Sequence, residues 1–171
     1  GFSVSGLKGN DTVNSLGSVQ ATGAIGKNAG VYTNTVTAGT ETNYTVTAVN
    51  GTLTIGKAAL TATGNSAQVT YNGASQSVSG FTLTGLLGAD TAADITQVSA
   101  SGASGTDVGA YVNTVTAGVE TNYTVTPVNG LLSIGKANLI LSGSRVYDRT
   151  TSFAGGFLTA SGVAGQTSSV S

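Results

Sequence analysis

Apolar and polar residues alternate with a period of two along much of this chain. In Asn122-Tyr-Thr-Val-Thr-Pro127, Tyr123, Val125 and Pro127 fall on one face of an extended segment, and Asn122, Thr124 and Thr126 on the other. The preceding run sets Tyr111 and Val115 against Thr114 and Thr116. Thr and Val are stiff at χ1 and suit a pleated surface better than a helix. Gly118 lies in the connection between the runs, and Asn129-Gly130 is a strong hairpin signal before Leu132 and Ile134 resume the buried face. The pattern predicts a β-meander of three antiparallel strands, with tyrosines and valines inside and threonines outside.

The stretch Asn113–Gly130 repeats Asn34–Gly51, with differences only at Thr40/Val119 and Ala48/Pro127. The match extends from Gly1–Lys57 to Gly80–Lys136 without a gap, at an offset of 81 − 2 = 79 residues set by Phe2 and Phe81. Roughly half the aligned positions are identical, which marks an internal repeat. After each Ile-Gly-Lys-Ala (55–58 and 134–137) the pattern restarts, as Leu60-Thr-Ala-Thr-Gly64 and then Leu139-Ile-Leu-Ser-Gly143. Three divisions are expected: 1–57, a repeat lacking its first strands; 58–136, a complete repeat; and 137–171, the beginning of another. A module of about 80 residues without disulfides buries roughly 60% of its unfolded surface and is marginal alone, so neighbours should support it. Six or seven short strands per repeat fit a small sandwich. Leu86–Ala93 is the best helical stretch, but Gly88 interrupts it and Thr91 is β-branched, so one short turn is allowed there.

Composition narrows the function. Charged residues make up 8% of 171 and the formal charge is −1, with six Lys plus Arg against seven acids, so nothing favours binding to nucleic acid. There is no Cys, which points away from a disulfide scaffold and toward long bacterial surface repeats. No apolar run approaches the ~20 residues of a membrane-spanning helix. With no initiator Met and no signal peptide, a segment of a larger protein is expected.

Asp107-Val-Gly-Ala-Tyr111 has the Asp-x-Gly-x-Tyr form of a tyrosine corner, matched by Asn28-Ala-Gly-Val-Tyr32. Together with Val69-Thr-Tyr-Asn-Gly-Ala74, Val78-Ser-Gly-Phe-Thr-Leu-Thr-Gly85, Gly109-Ala-Tyr-Val-Asn113, Asn122-Tyr-Thr-Val-Thr126 and Leu132-Ser-Ile-Gly-Lys-Ala137, this resembles the MBG repeat. Such modules stand in tandem in large secreted bacterial adhesins similar to filamentous haemagglutinin. The third start, Val146-Tyr-Asp-Arg-Thr-Thr151, is similar to the related YDG repeat, with Arg149 in place of its glycine. The resemblance covers essentially the whole chain. It implies an all-β tandem array of small antiparallel sandwich modules, immunoglobulin-like or β-grasp-like, with little or no helix, at the cell surface or outside the cell. It carries no catalytic activity and no binding motif.

Candidate chemistry is sparse. With no His or Cys, a serine nucleophile would need a lysine base, and Lys57 and Lys136 recur with the module as edge or junction charges. No catalytic, cofactor-binding or metal site residues are assigned, and no cofactor is expected. Asp90 and Asp94 are candidate Ca²⁺ ligands, but the first copy has Asp11 and Ser15, and turn aspartates bonding local amides are the preferred reading. Asn10, Asn43, Asn50 and Asn122 match the glycan-acceptor pattern, one that arises easily by chance at this Asn and Thr content. Thr35, Thr37, Thr45 and Thr47 form rows that suit either a flat binding face or simply a wet sheet face, the latter preferred. Tyr32, Tyr44, Tyr111 and Tyr123 are assigned to the core rather than to sugar stacking. The leading expectation is a structural stalk whose partners are its neighbouring repeats. The alternatives are a multivalent module for host or matrix glycans, and a filament subunit completed by a strand from another copy.

Overall fold

The computed structural model describes residues 1–151 and 158–163. It is almost entirely β, built from small, mostly antiparallel sheets. Two compact units are present: Gly1–Ala58 with Thr121–Thr124, and Ala59–Glu120 with Val125 onward.

The second repeat, which comprises the core of the second unit together with Ala58 and Thr121–Thr124, has the strands β5 (Ala58–Gly64), β6 (Ala67–Thr70), β7 (Gln76–Val78), β8 (Phe81–Thr84), β9 (Val98–Ala100), β10 (Ala103–Gly105), β11 (Gly109–Asn113), β12 (Val115–Ala117), β13 (Tyr123–Val128) and β14 (Gly130–Gly135). β5 lies between β13 and β8, and β14 lies between β11 and β6. The pairs β7–β10 and β9–β12 complete the unit. Leu132 and Ile134 of β14 and Ala103 of β10 form a buried cluster, against which Ala67, Val69, Tyr71, Val78 and Tyr111 pack. Leu60 and Ala62 of β5 are buried as well, and so are Ile95, Val98, Val115 and Tyr123.

Several expectations are corrected here. The residues around 111–134 do not form a meander. β11 pairs with β14, β12 with β9, and β13 with β5, so three consecutive runs lie in three different sheets. Asn129-Gly130 is a crossing point rather than a hairpin turn. Its Asn129 Oδ1 accepts the Val115 N–H at 2.9 Å, and Gly130 is required by crowding. A Cβ there would run into the Asn65 carbonyl oxygen and come within 2.6 Å of that of Gly64. The repeat 58–136 also holds ten strands instead of six or seven, because extended runs change partner midway. At Thr114 the chain leaves the sheet containing β14 and joins β9. A parallel pairing, β14 with β6, is a further departure from a purely antiparallel scheme.

The first unit repeats this design with fewer strands: β1 (Gln20–Ala21), β2 (Gly30–Asn34), β3 (Val36–Thr37) and β4 (Gly51–Ile55). β2 pairs with β4 in the register of β11 with β14, Asn34 opposite Gly51 as Asn113 is opposite Gly130. Counterparts of β5, β6 and β7 are absent among its described residues. Accordingly 44–49 and 2–5, the equivalents of β13 and β8, have no ladder partner and are not strands, although Asn43–Thr47 and Asn122–Thr126 have the same sequence. Tertiary context decides the outcome for this peptide.

Among the described residues each unit has one short 3-10 turn, Val13–Ser15 and Ala92–Asp94, the latter at the place allowed for a turn. Beyond the second repeat, β15 (Ile140–Gly143) pairs with β16 (Leu158–Ser161). The third repeat expected over 137–171 lies in part outside the described residues. Among the described residues, no helix is long and apolar enough to cross a membrane.

Candidate functional site

The side chains singled out in the sequence are placed as parts of the framework. Lys57 and Lys136 are exposed just after β4 and β14. Asp94 accepts the N–H and the hydroxyl of Thr91 through Oδ2, at 2.7 and 2.8 Å, and so caps its own 3-10 turn. Ser15 does the equivalent work in the first unit by accepting the Thr12 N–H at 3.1 Å. Either side chain satisfies the same orphan donor. Among the described residues, no three acids gather into a group able to hold a metal ion.

The glycan-pattern asparagines differ in their surroundings. Asn10 and Asn43 are exposed, whereas Asn50 Oδ1 accepts the Val36 N–H at 2.9 Å. Asn122 Oδ1 accepts the Ala29 N–H at 2.9 Å, and its Nδ2 donates to Asn28 Oδ1 at 3.1 Å. Thr35, Thr37, Thr45 and Thr47 are exposed, as are Thr114, Thr116, Thr124 and Thr126. Tyr123 is buried, and Tyr32, Tyr44 and Tyr111 are half-buried. The tyrosine corner is present twice. Tyr111 Oη donates to the Asp107 carbonyl at 3.0 Å, and Tyr32 Oη donates to the Asn28 carbonyl at 2.8 Å.

Two polar positions escaped sequence reasoning. The first is Asn113, fully buried, whose Oδ1 accepts the Gly102 N–H at 2.9 Å. Its Nδ2 donates to the carbonyls of Asn65 and Gly80, at 3.1 and 2.9 Å, tying β11 to the backbone at the end of β5. The second is Glu120, almost fully buried, whose Oε1 accepts the Gln97 N–H at 2.6 Å. Glu41 plays the same part for Ser18, accepting its N–H at 2.8 Å and its hydroxyl at 2.7 Å. The Ser18 hydroxyl and then its amide hold the Glu41 carboxyl below its ordinary range. Alternation sets Asn113 on the face of Tyr111 and Val115, and both Asn113 and Glu120 fall inside the nearly identical stretch.

Tyr44 donates its hydroxyl to Asp11 Oδ2 at 2.5 Å and accepts the Lys8 N–H at 3.1 Å. The bond to Asp11 raises the phenol above its usual pKa. Beside this tyrosine lies a groove of about 890 Å³ within the first unit. One wall is 1–5, which contributes Phe2 and Val4, and the other is 44–51, which contributes Tyr44 and Val46. Buried Leu16 and Val19 line it between them. The equivalent walls of the second unit, β8 and β13, enclose β5.

No curated protein and no solved structure matches this chain. The family model described as MBG domain, YGX type, matches it twice, over residues 1–54 and 60–133. Those spans cover most of both repeats, including both copies of the buried or half-buried asparagine, the carboxylate clamp and the tyrosine corner, and the chain therefore belongs to the MBG domain family, a repeat module of adhesin-like proteins.

Proposed function

We propose that this chain is a length of spacer in an extracellular bacterial adhesin or surface filament, holding an adhesive region away from the cell and so serving attachment. The observation that carries this reading is the reuse of one all-β framework at a fixed 79-residue interval, with its polar clamps reproduced. Asn34 and Asn113, Glu41 and Glu120, and Tyr32 and Tyr111 make corresponding bonds in their own units. The duplicated residues tie backbone to backbone, as an element under tension requires. Each module of about 80 residues contributes roughly 30 Å of length.

The reading is tested by pulling the whole chain between two handles in a single-molecule force experiment. Discrete unfolding events are expected, with a contour gain of roughly 250 Å for a 79-residue module, from about 3.6 Å per extended residue less its folded length. Smooth extension without a force peak would remove the spacer reading. So would competable binding to host or matrix polysaccharide on a glycan array, which would favour a multivalent binding module.

A further inference from the structure

Asparagine followed by glycine is open to attack on its own side chain, because glycine has no Cβ to hinder the approach of its backbone nitrogen. The chain holds this pair three times, at Asn50-Gly51, Asn72-Gly73 and Asn129-Gly130. We infer that Asn72 is a site of spontaneous covalent modification, passing through a cyclic imide to aspartate and isoaspartate, while the fold holds the other two pairs inert. The inference goes beyond the spacer reading and does not depend on it.

The surroundings of the three pairs supply the argument. Gly130 is buried in β14 opposite Asn113, and its nitrogen lies so close to Gly64 that a Cβ on Gly64 would come within 2.5 Å of it. Asn129 Oδ1 accepts the Val115 N–H at 2.9 Å, which anchors the side chain on β12. Gly51 is paired in β4 opposite Asn34, and Asn50 Oδ1 accepts the Val36 N–H of β3 at 2.9 Å. In both pairs the attacking nitrogen belongs to a paired strand and the side chain is tied to another, so reaction requires local opening. Asn72-Gly73 is different. It lies between β6 and β7, outside any ladder, and Asn72, Gly73, Ala74 and Ser75 are all exposed. The Gly73 N–H has no acceptor among the described residues. Asn72 Oδ1 accepts the Ala74 N–H at 2.9 Å, an Asx turn that folds the side chain over the backbone following it.

The chemistry needs only water and hydroxide. The Gly73 nitrogen gives its proton to hydroxide and attacks Asn72 Cγ, forming the N–Cγ bond. Negative charge collects on Oδ1, to which the Ala74 N–H already donates. The Cγ–Nδ2 bond then breaks, and the nitrogen leaves as ammonia after taking a proton from water, which regenerates the hydroxide. Water opens the imide in one of two ways. Addition at Cγ breaks the new bond and leaves aspartate. Addition at the Asn72 carbonyl carbon breaks the original peptide bond and leaves isoaspartate, with the main chain running through Cγ.

The two products differ in their fit. Aligned on the tyrosine, Tyr147-Asp148 stands where this repeat has Tyr71-Asn72, and Asp148 Oδ1 accepts the Thr150 N–H at 3.0 Å as Asn72 Oδ1 accepts that of Ala74. The turn therefore takes a carboxylate with its bond kept. Isoaspartate instead lengthens the backbone of a segment fixed at both ends. Tyr71 N–H donates to the Gly135 carbonyl at 2.8 Å, while Gln76 pairs with Gly105 and donates Nε2 to the Thr70 carbonyl at 3.1 Å. The added atom works against the pairing of β7 with β10.

The whole chain, isotope-labelled and folded, is incubated at mildly alkaline pH and followed by NMR beside a sample in concentrated urea. In the folded chain the Asn72 side-chain amide and Gly73 backbone signals should decay at least about tenfold faster than those of the other two pairs, which wait on local opening. In urea the three pairs should decay at similar rates. Amide protection across Gln76–Val78 should fall in the isoaspartyl product and persist in an Asn72→Asp chain. A folded chain in which Asn72 stays intact while the urea sample reacts, or in which Asn50 or Asn129 reacts as fast as Asn72, would overturn the proposal.

Discussion

Substituting Asn113 by Ala removes three hydrogen bonds at a fully buried position. The Gly102 N–H and the Asn65 carbonyl, both on half-buried residues, then lose this partner. The Gly80 carbonyl still receives the Asn65 N–H at 3.0 Å. Counting about 1 kcal/mol per net bond and the cost of stranding buried polar groups, the second unit should lose about 3 kcal/mol. Asn34→Ala removes only two bonds, from the Gly23 N–H and to the Gly1 carbonyl, at a half-exposed site where water takes over. Its cost should be about 1 kcal/mol. The two substitutions therefore differ by about 2 kcal/mol, a factor of roughly 30, although they change the same residue in the same sequence. Thermal unfolding followed by methyl NMR can report each unit separately, through Leu132 and Ile134 for the second and Leu53 and Ile55 for the first. At roughly 4–8 °C per kcal/mol for a domain of this size, Asn113→Ala should lower the melting temperature of its unit by about 15 °C, and Asn34→Ala by about 5 °C. Asn113→Asp should be worse than alanine, because a carboxylate would face two carbonyl oxygens. Equal losses in the two units would refute the assignment of Asn113 as a buried tie.

Gly130→Ala should cost about 2 kcal/mol in urea unfolding of the second unit, since backbone rather than a movable side chain obstructs its Cβ. Arg149 is the one described non-glycine residue with positive φ, at 64°, standing where the earlier repeat has Gly73 at 79°. Arg149→Gly relieves that strain against a larger entropy loss, so a gain of about 0.5 kcal/mol is expected, read as roughly doubled amide protection in β15. Glu41 has a folded pKa below its ordinary 4.5, so its contribution is present above that value and fades as pH falls through the lowered one. An NMR titration should show Ser18→Ala returning the midpoint toward 4.5, and an unchanged midpoint would contradict the clamp. Asp148, held low by the Thr150 amide and then its hydroxyl, should order its turn above pH 3.8 and release it on further acidification.

Much of this fold is legible in the sequence because period-two patterning and repetition are local signals. They place the threonines in water and Tyr123 in the core, and they predict the tyrosine corners at Tyr32 and Tyr111. Pairing is another matter. Asn129-Gly130 has hairpin chemistry, yet the partners of β13 and β14 lie some 65 residues away along the chain, at β5 and β6. No turn rule reports a change of sheet. Asn113 is legible only in part: alternation sets it on the face of Tyr111 and Val115, but nothing local names the partners of a buried amide. Its burial depends on two carbonyls contributed by distant backbone. Glu120 shows the same limit: a carboxylate among threonines looks wet until the Gln97 amide is brought to it. The contrast between 44–49 and 123–128 is the strongest case, because nearly identical residues differ in structure only through the strand beside them.

Amide hydrogen exchange on the whole chain, resolved residue by residue under conditions where it is monomeric, tests that last point most directly. The account predicts that backbone amides in Tyr123–Val128 directed at β5 exchange slowly and that their counterparts in Tyr44–Val49 exchange rapidly. Matching protection in the two segments would contradict it, because the peptide would then make its strand without the partner that the account requires.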